Sequence, residues 1–202
     1  MFITFEGGEG TGKSTQIKRL AERLNTLGQH VILTREPGGT FQGEALRQIL
    51  VTGDTKSWSA EAEALLNYAA RDQHLRQIIR PALAAGKTVL CDRYMDSTRA
   101  YQGFAGDCPL TLIDALENQI VATTRPNFTL IFDLDPQIGL ARAKAQDKGR
   151  EDRFERKGLT FHQRLRQGFL TIAKADPARC KLIDASQSID QVAEQIWAQI
   201  HV

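Results

Sequence analysis

Eight residues near the N-terminus restrict this chain more than any other part of it: Gly7-Gly8-Glu9-Gly10-Thr11-Gly12-Lys13-Ser14. They match GxxxxGK[ST], follow a short apolar run and open a segment of helical period, which is the context in which this pattern binds phosphate. Glycines let the backbone curl until its N–H groups converge on anionic oxygens, and the helix N-terminus adds its positive dipole end. Gly7 to Ser14, with Thr15, are therefore expected to cradle a nucleoside triphosphate. Lys13 would reach the β- and γ-phosphates and Ser14 would ligate Mg²⁺. A dinucleotide turn is the rival use of such glycines, but no GxGxxG can be laid over them.

The rest of the chain supports an α/β protein. Short β-rich runs at 2–6, 30–34, 88–92, 128–134 and 180–184 alternate with segments of helical period, the pattern of a parallel sheet with crossover helices. The first helix should start near Lys13, with Ile17, Leu20, Leu24 and Leu27 on one face and Gly28 as its C-terminal cap. Further helices are expected at about 43–51 and 60–79, with Pro81 opening a short continuation. Asp135-Pro136 reads as an N-cap and first helical residue, and Thr160…Gln163 and Ser188…Gln191 as capping boxes. The last helix should bury Ile189, Val192, Ile196 and Ile200. With 202 residues and no linker or repeat, one domain over 1–202 is expected.

Composition narrows the partners. A formal net charge of +2 gives no case for nucleic acid or a membrane surface, and no apolar segment approaches spanning length. Cys91, Cys108 and Cys180 are widely spaced and contain no CxxC, so neither zinc nor a disulfide framework is indicated, and a reducing, cytoplasmic setting is expected. Charge is local instead: between Arg142 and Arg166 nine Lys or Arg face four Asp or Glu.

A phosphate loop does not name a reaction. The NKxD and DxxG patterns of regulatory GTPases are absent. Polar and cationic groups instead gather just after the expected strands, where a parallel sheet opens its ligand crevice. These are Thr34-Arg35-Glu36-Pro37-Gly38-Gly39-Thr40, Asp92-Arg93-Tyr94 and Ser97-Thr98-Arg99-Ala100-Tyr101-Gln102-Gly103. Asp92, closing a strand beside the phosphate loop, could hold Mg²⁺ through water.

The blocks EGxEGxGKS, TREPGGT, YAARxQH, DRYxxSTxAYQG and RPxxTLxxDL, in this order and over essentially the whole chain, resemble bacterial thymidylate kinases. The resemblance implies the three-layer fold of P-loop kinases, a five-stranded parallel sheet of order 2-3-1-4-5 with helices on both faces. It implies phosphoryl transfer from ATP to dTMP with Mg²⁺, and a homodimer. Glu9 matches the acidic residue facing the sugar 3′-hydroxyl, and Arg47 and Arg93 match cations on the acceptor phosphate, to which guanidinium offers two parallel donors. Arg35 would support that pocket or form a loop salt bridge. Arg71 matches the residue bonded to a thymine carbonyl, Thr98 meets ring N3, Tyr101 packs where a 2′-hydroxyl would be, and Gln102 is a neighbouring phosphate or sugar contact. His74 shares the YAARxQH block without an evident chemical role. The chain departs from the family at Asn67, which replaces the phenylalanine that stacks on the base; either Tyr68 supplies a ring or the pocket is altered.

Residues 142–157 resemble the family's LID, whose arginines replace one missing from the phosphate loop, as Gly10 and Thr11 are consistent with here. A closing arginine can stabilise the charge spread over the transferring phosphoryl. Arg142 and Arg153 are the preferred candidates, with Lys13, Arg93 and Glu9 completing the expected catalytic set, and Glu155 is a candidate for the Mg²⁺ hydration shell. Two rivals remain at this point: a kinase for another monophosphate such as dCMP or dUMP, and a non-enzymatic ATP-binding switch.

Overall fold

The computed structural model describes residues 1–145 and 153–200. Its chain runs β1 (Phe2–Gly7), α1 (Lys13–Thr26), β2 (Val31–Arg35), α2 (Phe41–Val51), α3 (Ala60–His74), α4 (Arg80–Ala84), β3 (Thr88–Asp92), α5 (Met95–Thr98), α6 (Leu110–Leu116), β4 (Phe128–Asp133), α7 (Pro136–Ala145), α8 (Leu159–Ala175), β5 (Cys180–Asp184) and α9 (Ile189–Gln199). Five strands form one parallel sheet of order β2-β3-β1-β4-β5, as expected. Ile3 faces Leu90 on β3 and Phe128 on β4, so β1 lies at the centre and all six of its residues are buried.

Alternation along β1 divides the core between two helical layers. Ile3 and Phe5 pack with Ile17, Leu20 and Leu24 of α1 and Val192 and Ile196 of α9. Phe2 faces the other way, with Tyr68, Leu75, Ile79 and Ile113. A third group joins Ile131 of β4 to Tyr101, Leu165 and Phe169.

Helix boundaries follow their caps. Thr40 Oγ1 accepts the Gly43 N–H at 3.0 Å, which starts α2 two residues earlier than its apolar pattern suggests. Ser188 and Gln191 form the expected capping box of α9, and Asp135 Oδ1 accepts the Gln137 N–H at 2.8 Å. Thr160 does not cap α8; the helix begins at Leu159 behind Gly158, so Thr160 already lies inside its first turn. The long helix expected at 60–79 passes into a π turn at Leu75–Ile79 before α4. Pro81 has no N–H for a regular helical bond, and the wider turn accommodates that gap. Leu27 is 59% exposed rather than core, because α1 stops at Thr26 and the left-handed Gly28 (φ 81°) turns the chain there. Ile189 is 56% exposed because it borders a cavity at the start of α9. All three cysteines are free and buried, and burial pushes the Cys91 thiol well up.

Candidate active site

The phosphate loop joins β1 to α1 at the C-terminal edge of the sheet. Lys13 Nζ donates to the Gly8 carbonyl at 2.7 Å, the Gly7 carbonyl at 3.2 Å and Thr11 Oγ1 at 3.1 Å. Burial, then the neighbouring Arg93, lowers its pKa to about 8. The loop lies hard against α7: a Cβ on Gly10 would fall 2.0 Å from the Gly139 carbonyl oxygen, and one on Gly139 would fall 2.5 Å from the Glu9 carbonyl oxygen. Glycine is required at both places by sterics. Around the loop opens a cavity whose walls include Gly10, Thr11, Gly12, Lys13, Ser14, Thr15, Arg142 and Ile189. Arg142 donates to the Ala185 carbonyl at 3.2 Å from across this cavity. Ser14 Oγ donates to Asp92 Oδ2 at 3.3 Å, so a hydroxyl and a carboxylate meet beside Lys13. Two hard oxygen ligands, with phosphate and water completing the shell, suit Mg²⁺.

A second cleft opens on the β3 side. On its wall lies Arg71, almost fully buried. Arg71 Nε donates to Glu36 Oε2 at 2.7 Å and its Nη2 to Thr98 Oγ1 at 3.1 Å, while its buried Nη1 has no protein partner. His74 Nδ1 meets the other Glu36 oxygen at 2.9 Å, and its Nε2 meets Thr34 Oγ1 at 2.6 Å. Position 74 thus orients Glu36, which orients Arg71. A rigid guanidinium with a buried, unpartnered Nη1 is able to donate to a carbonyl oxygen.

The two cavities meet. Glu9, Arg47 and Arg93 border both. Arg93 follows β3 with φ 69°, a conformation uncommon outside glycine, which sends its side chain back across β1. Its Nη1 donates to the Gly7 carbonyl at 2.9 Å and its Nη2 to Glu9 Oε1 at 3.0 Å. The Tyr101 hydroxyl donates to the same Glu9 oxygen at 2.5 Å. Burial alone would raise the Glu9 pKa, but Arg93 and Lys13 hold it at about 2, so the group is a carboxylate at any working pH. Glu6 behaves oppositely: burial, with Asp96 nearby, pushes its pKa up to about 8, while the Tyr94 N–H (2.8 Å) and the Ser97 hydroxyl (2.5 Å) satisfy its oxygens.

A sequence model of the family described as thymidylate kinase matches residues 5–196. The chain belongs to that family. It is 55% identical over 195 residues to a thymidylate kinase of Caulobacter vibrioides, covering 96% of this chain and 93% of the relative. To one of Bradyrhizobium diazoefficiens it is 50% identical over 200 residues, covering 98% and 88%. The crystal structure of thymidylate kinase from Ehrlichia chaffeensis superposes with a TM-score of 0.79 at 36% identity, covering 98% of this chain and 96% of that one.

Most of the family pattern converges on the two cavities. Glu9, Arg47, Asn67, Arg71, Arg93, Thr98, Tyr101 and Gln102 all border the second cleft. Three expectations need correction. Arg35 borders neither cavity; it pairs with Glu44 at 2.9 Å on the surface, the loop-bridge alternative. Tyr68 cannot supply a ring, being wholly buried on the core face of α3 beneath the Arg71 guanidinium, while Asn67 takes the pocket side and bonds back to the Glu63 carbonyl at 2.8 Å. Arg153, the expected lid arginine, is fully buried away from the phosphate loop. Its guanidinium reaches Glu63 Oε1 at 2.5 Å and the carbonyls of Leu50 (2.8 Å), Asp54 (2.9 Å) and Thr55 (3.4 Å). Such a cage holds the guanidinium in place. Arg156 likewise reaches the Gly53 carbonyl, Lys157 stands 3.7 Å from Glu63, Glu155 borders the second cleft, and Lys148 and Arg150 lie outside the described residues.

Glu63 and Phe154 escaped the sequence reading, and Glu36 entered it only as a member of its block. Glu36 had a usable signal, an acid inside TREPGGT between a cation and a proline. Glu63 had none, since a glutamate early in a helix ordinarily faces water.

Proposed function

We propose that the chain transfers the γ-phosphoryl group of ATP to dTMP, giving dTDP and ADP. The observation that carries this reading is the shared boundary of the two cavities at Glu9, Arg47 and Arg93. A triphosphate on the phosphate loop would point its terminal group toward this boundary, and a monophosphate in the second cleft would meet it there.

In this reading Lys13 exchanges its backbone carbonyl partners for phosphate oxygens and regains full charge. Arg93 and Arg47 orient the acceptor phosphate, and Arg142 adds positive charge from α7. The acceptor oxygen is already anionic, so no strong general base is required, and alignment with charge neutralisation accounts for the catalysis. Mg²⁺, held by Ser14 and through water by Asp92, would neutralise charge on the β- and γ-phosphates. Glu9 anchors Arg93 and Tyr101 and faces the sugar 3′-hydroxyl, while Tyr101 occupies the space a 2′-hydroxyl would need. The Arg71 Nη1 left without a partner would donate to a thymine carbonyl, with Thr98 beside ring N3.

Among the described residues no helix is long and apolar enough to cross a membrane; a cytoplasmic homodimer without nucleic-acid partners is part of the same proposal. Sedimentation tests the dimer. The activity is tested by coupled ADP release across a panel of monophosphates. Release with dTMP well above dCMP and dUMP is expected; equal rates would point to another monophosphate kinase, and no acceptor-dependent release to an ATP-binding switch.

A further inference from the structure

We propose that Phe154 supplies the aromatic face on which the acceptor base rests, and that Arg153 is the positioning residue that seats it. This deepens the dTMP reading and rests on it.

The cleft needs an apolar plane for a base, since Arg71 Nη1 serves only the base edge. Three rings border the cleft: Tyr94, Tyr101 and Phe154. Tyr94 is fully buried, stacked edge-on to Phe2 and bonded to the Thr124 carbonyl at 3.1 Å. Tyr101 is 6% exposed, and its hydroxyl is committed to Glu9. Phe154 alone of the three remains partly open to the cleft. Its ring meets Tyr101 in a T-shaped contact with centroids 5.4 Å apart, and the Arg153 guanidinium and the Lys157 ammonium lie over it at 5.2 and 5.1 Å, which together fix the ring plane.

The backbone is fixed as well. The Arg153 N–H donates to the Val51 carbonyl at 3.2 Å, and its guanidinium holds the end of α2, the 53–55 turn and Glu63 of α3 together. Leu50 and Val51, at the same anchor, also border the cleft. Glu63 further accepts from Gln102 Nε2 at 2.8 Å, and its carbonyl accepts from Asn67 one turn along. The Arg153–Glu63 pair therefore sets Phe154 at the level of α3 where Asn67 presents an amide instead of a ring.

The test measures dTMP binding to the full chain by calorimetry, alongside steady-state kinetics. A stacked base is worth enough that Phe154→Leu should weaken dTMP binding about tenfold. Phe154→Tyr, which keeps the ring, should stay within about twofold, and adding Asn67→Phe to Phe154→Leu should recover most of the loss. The KM for ATP should not move. Unchanged dTMP affinity in Phe154→Leu overturns the inference while leaving the kinase reading intact, and so does an equal loss for both nucleotides. Absence of dTMP turnover in the unaltered chain would instead sink the parent reading. Should Phe154→Leu not fold, nuclear Overhauser contacts between the thymine 5-methyl and the Phe154 ring in the unaltered protein decide: their presence supports the inference and their absence at saturation ends it.

Discussion

Replacing Arg153 by Met separates an anchoring arginine from a catalytic one. Met keeps much of the stem volume and removes the guanidinium, leaving the Glu63 carboxylate (2% exposed) with Gln102 and Lys157, the latter at 3.7 Å. Removing one partner of a buried pair costs about 3–5 kcal/mol, because the other charge stays desolvated. Lys157 offsets part of this, so the lower end applies, about 3 kcal/mol. For a domain of this size each kcal/mol moves Tm by about 2–4 °C, giving a fall of about 6–12 °C in a circular-dichroism melt. Arg142→Met, which loses one bond to the Ala185 carbonyl, should melt within about 2 °C of the parent and raise the KM for ATP instead. Adding Glu63→Gln to Arg153→Met should restore part of the lost stability, since the stranded charge is then gone. The reasoning is refuted if Arg153→Met keeps the parent Tm while kcat falls about a hundredfold or more, the signature of a lost transition-state donor.

Lys13→Ala should abolish turnover with an unchanged melt; retained turnover would remove the phosphate-loop assignment. The Lys13 pKa of about 8 in the free protein also predicts a pH dependence. Phosphate favours the charged form, so binding above pH 8 requires proton uptake, and ATP affinity should fall by up to about tenfold per pH unit there. A flat calorimetric profile from pH 7 to 9.5 would contradict it. dTMP should be preferred over its 2′-hydroxyl counterpart by about a hundredfold in kcat/KM, and equal values would dismiss the role given to Tyr101. Ser188→Ala should cost about 1 kcal/mol in a denaturant titration by removing the α9 cap, without altering the KM for dTMP.

The sheet was legible because its three central strands are covered on both faces, so their sequences read as near-continuous apolar runs with little ambiguity. The phosphate loop was legible because few backbones tolerate its glycines. Helix faces were less so. Leu27 and Ile189 continue their stripes in sequence but fall where a cap and a cavity end the core. The arginines were hardest, since the same residue type serves a surface bridge at Arg35, a buried pair with Glu36 at Arg71 and a carbonyl cage at Arg153. Which of these an arginine becomes depends on carbonyls and carboxylates distant in the chain: Arg153 finds Glu63 ninety positions away. Helical spacing could place Tyr68 away from the pocket, but only the packed core shows how completely it is enclosed.

Gly10 and Gly139 touch with no side chain between them, main chain on main chain. Nothing in that contact can swing to another rotamer or compress, so phosphate loop and α7 form one stiff socket with Arg142 bolted to its rim. In the proposed reading such a socket gauges where the triphosphate ends and is blind to what the other nucleotide carries. Choosing the acceptor is then left to the opposite half of the cleft, where a single amide or ring can change while the donor half stays as cast.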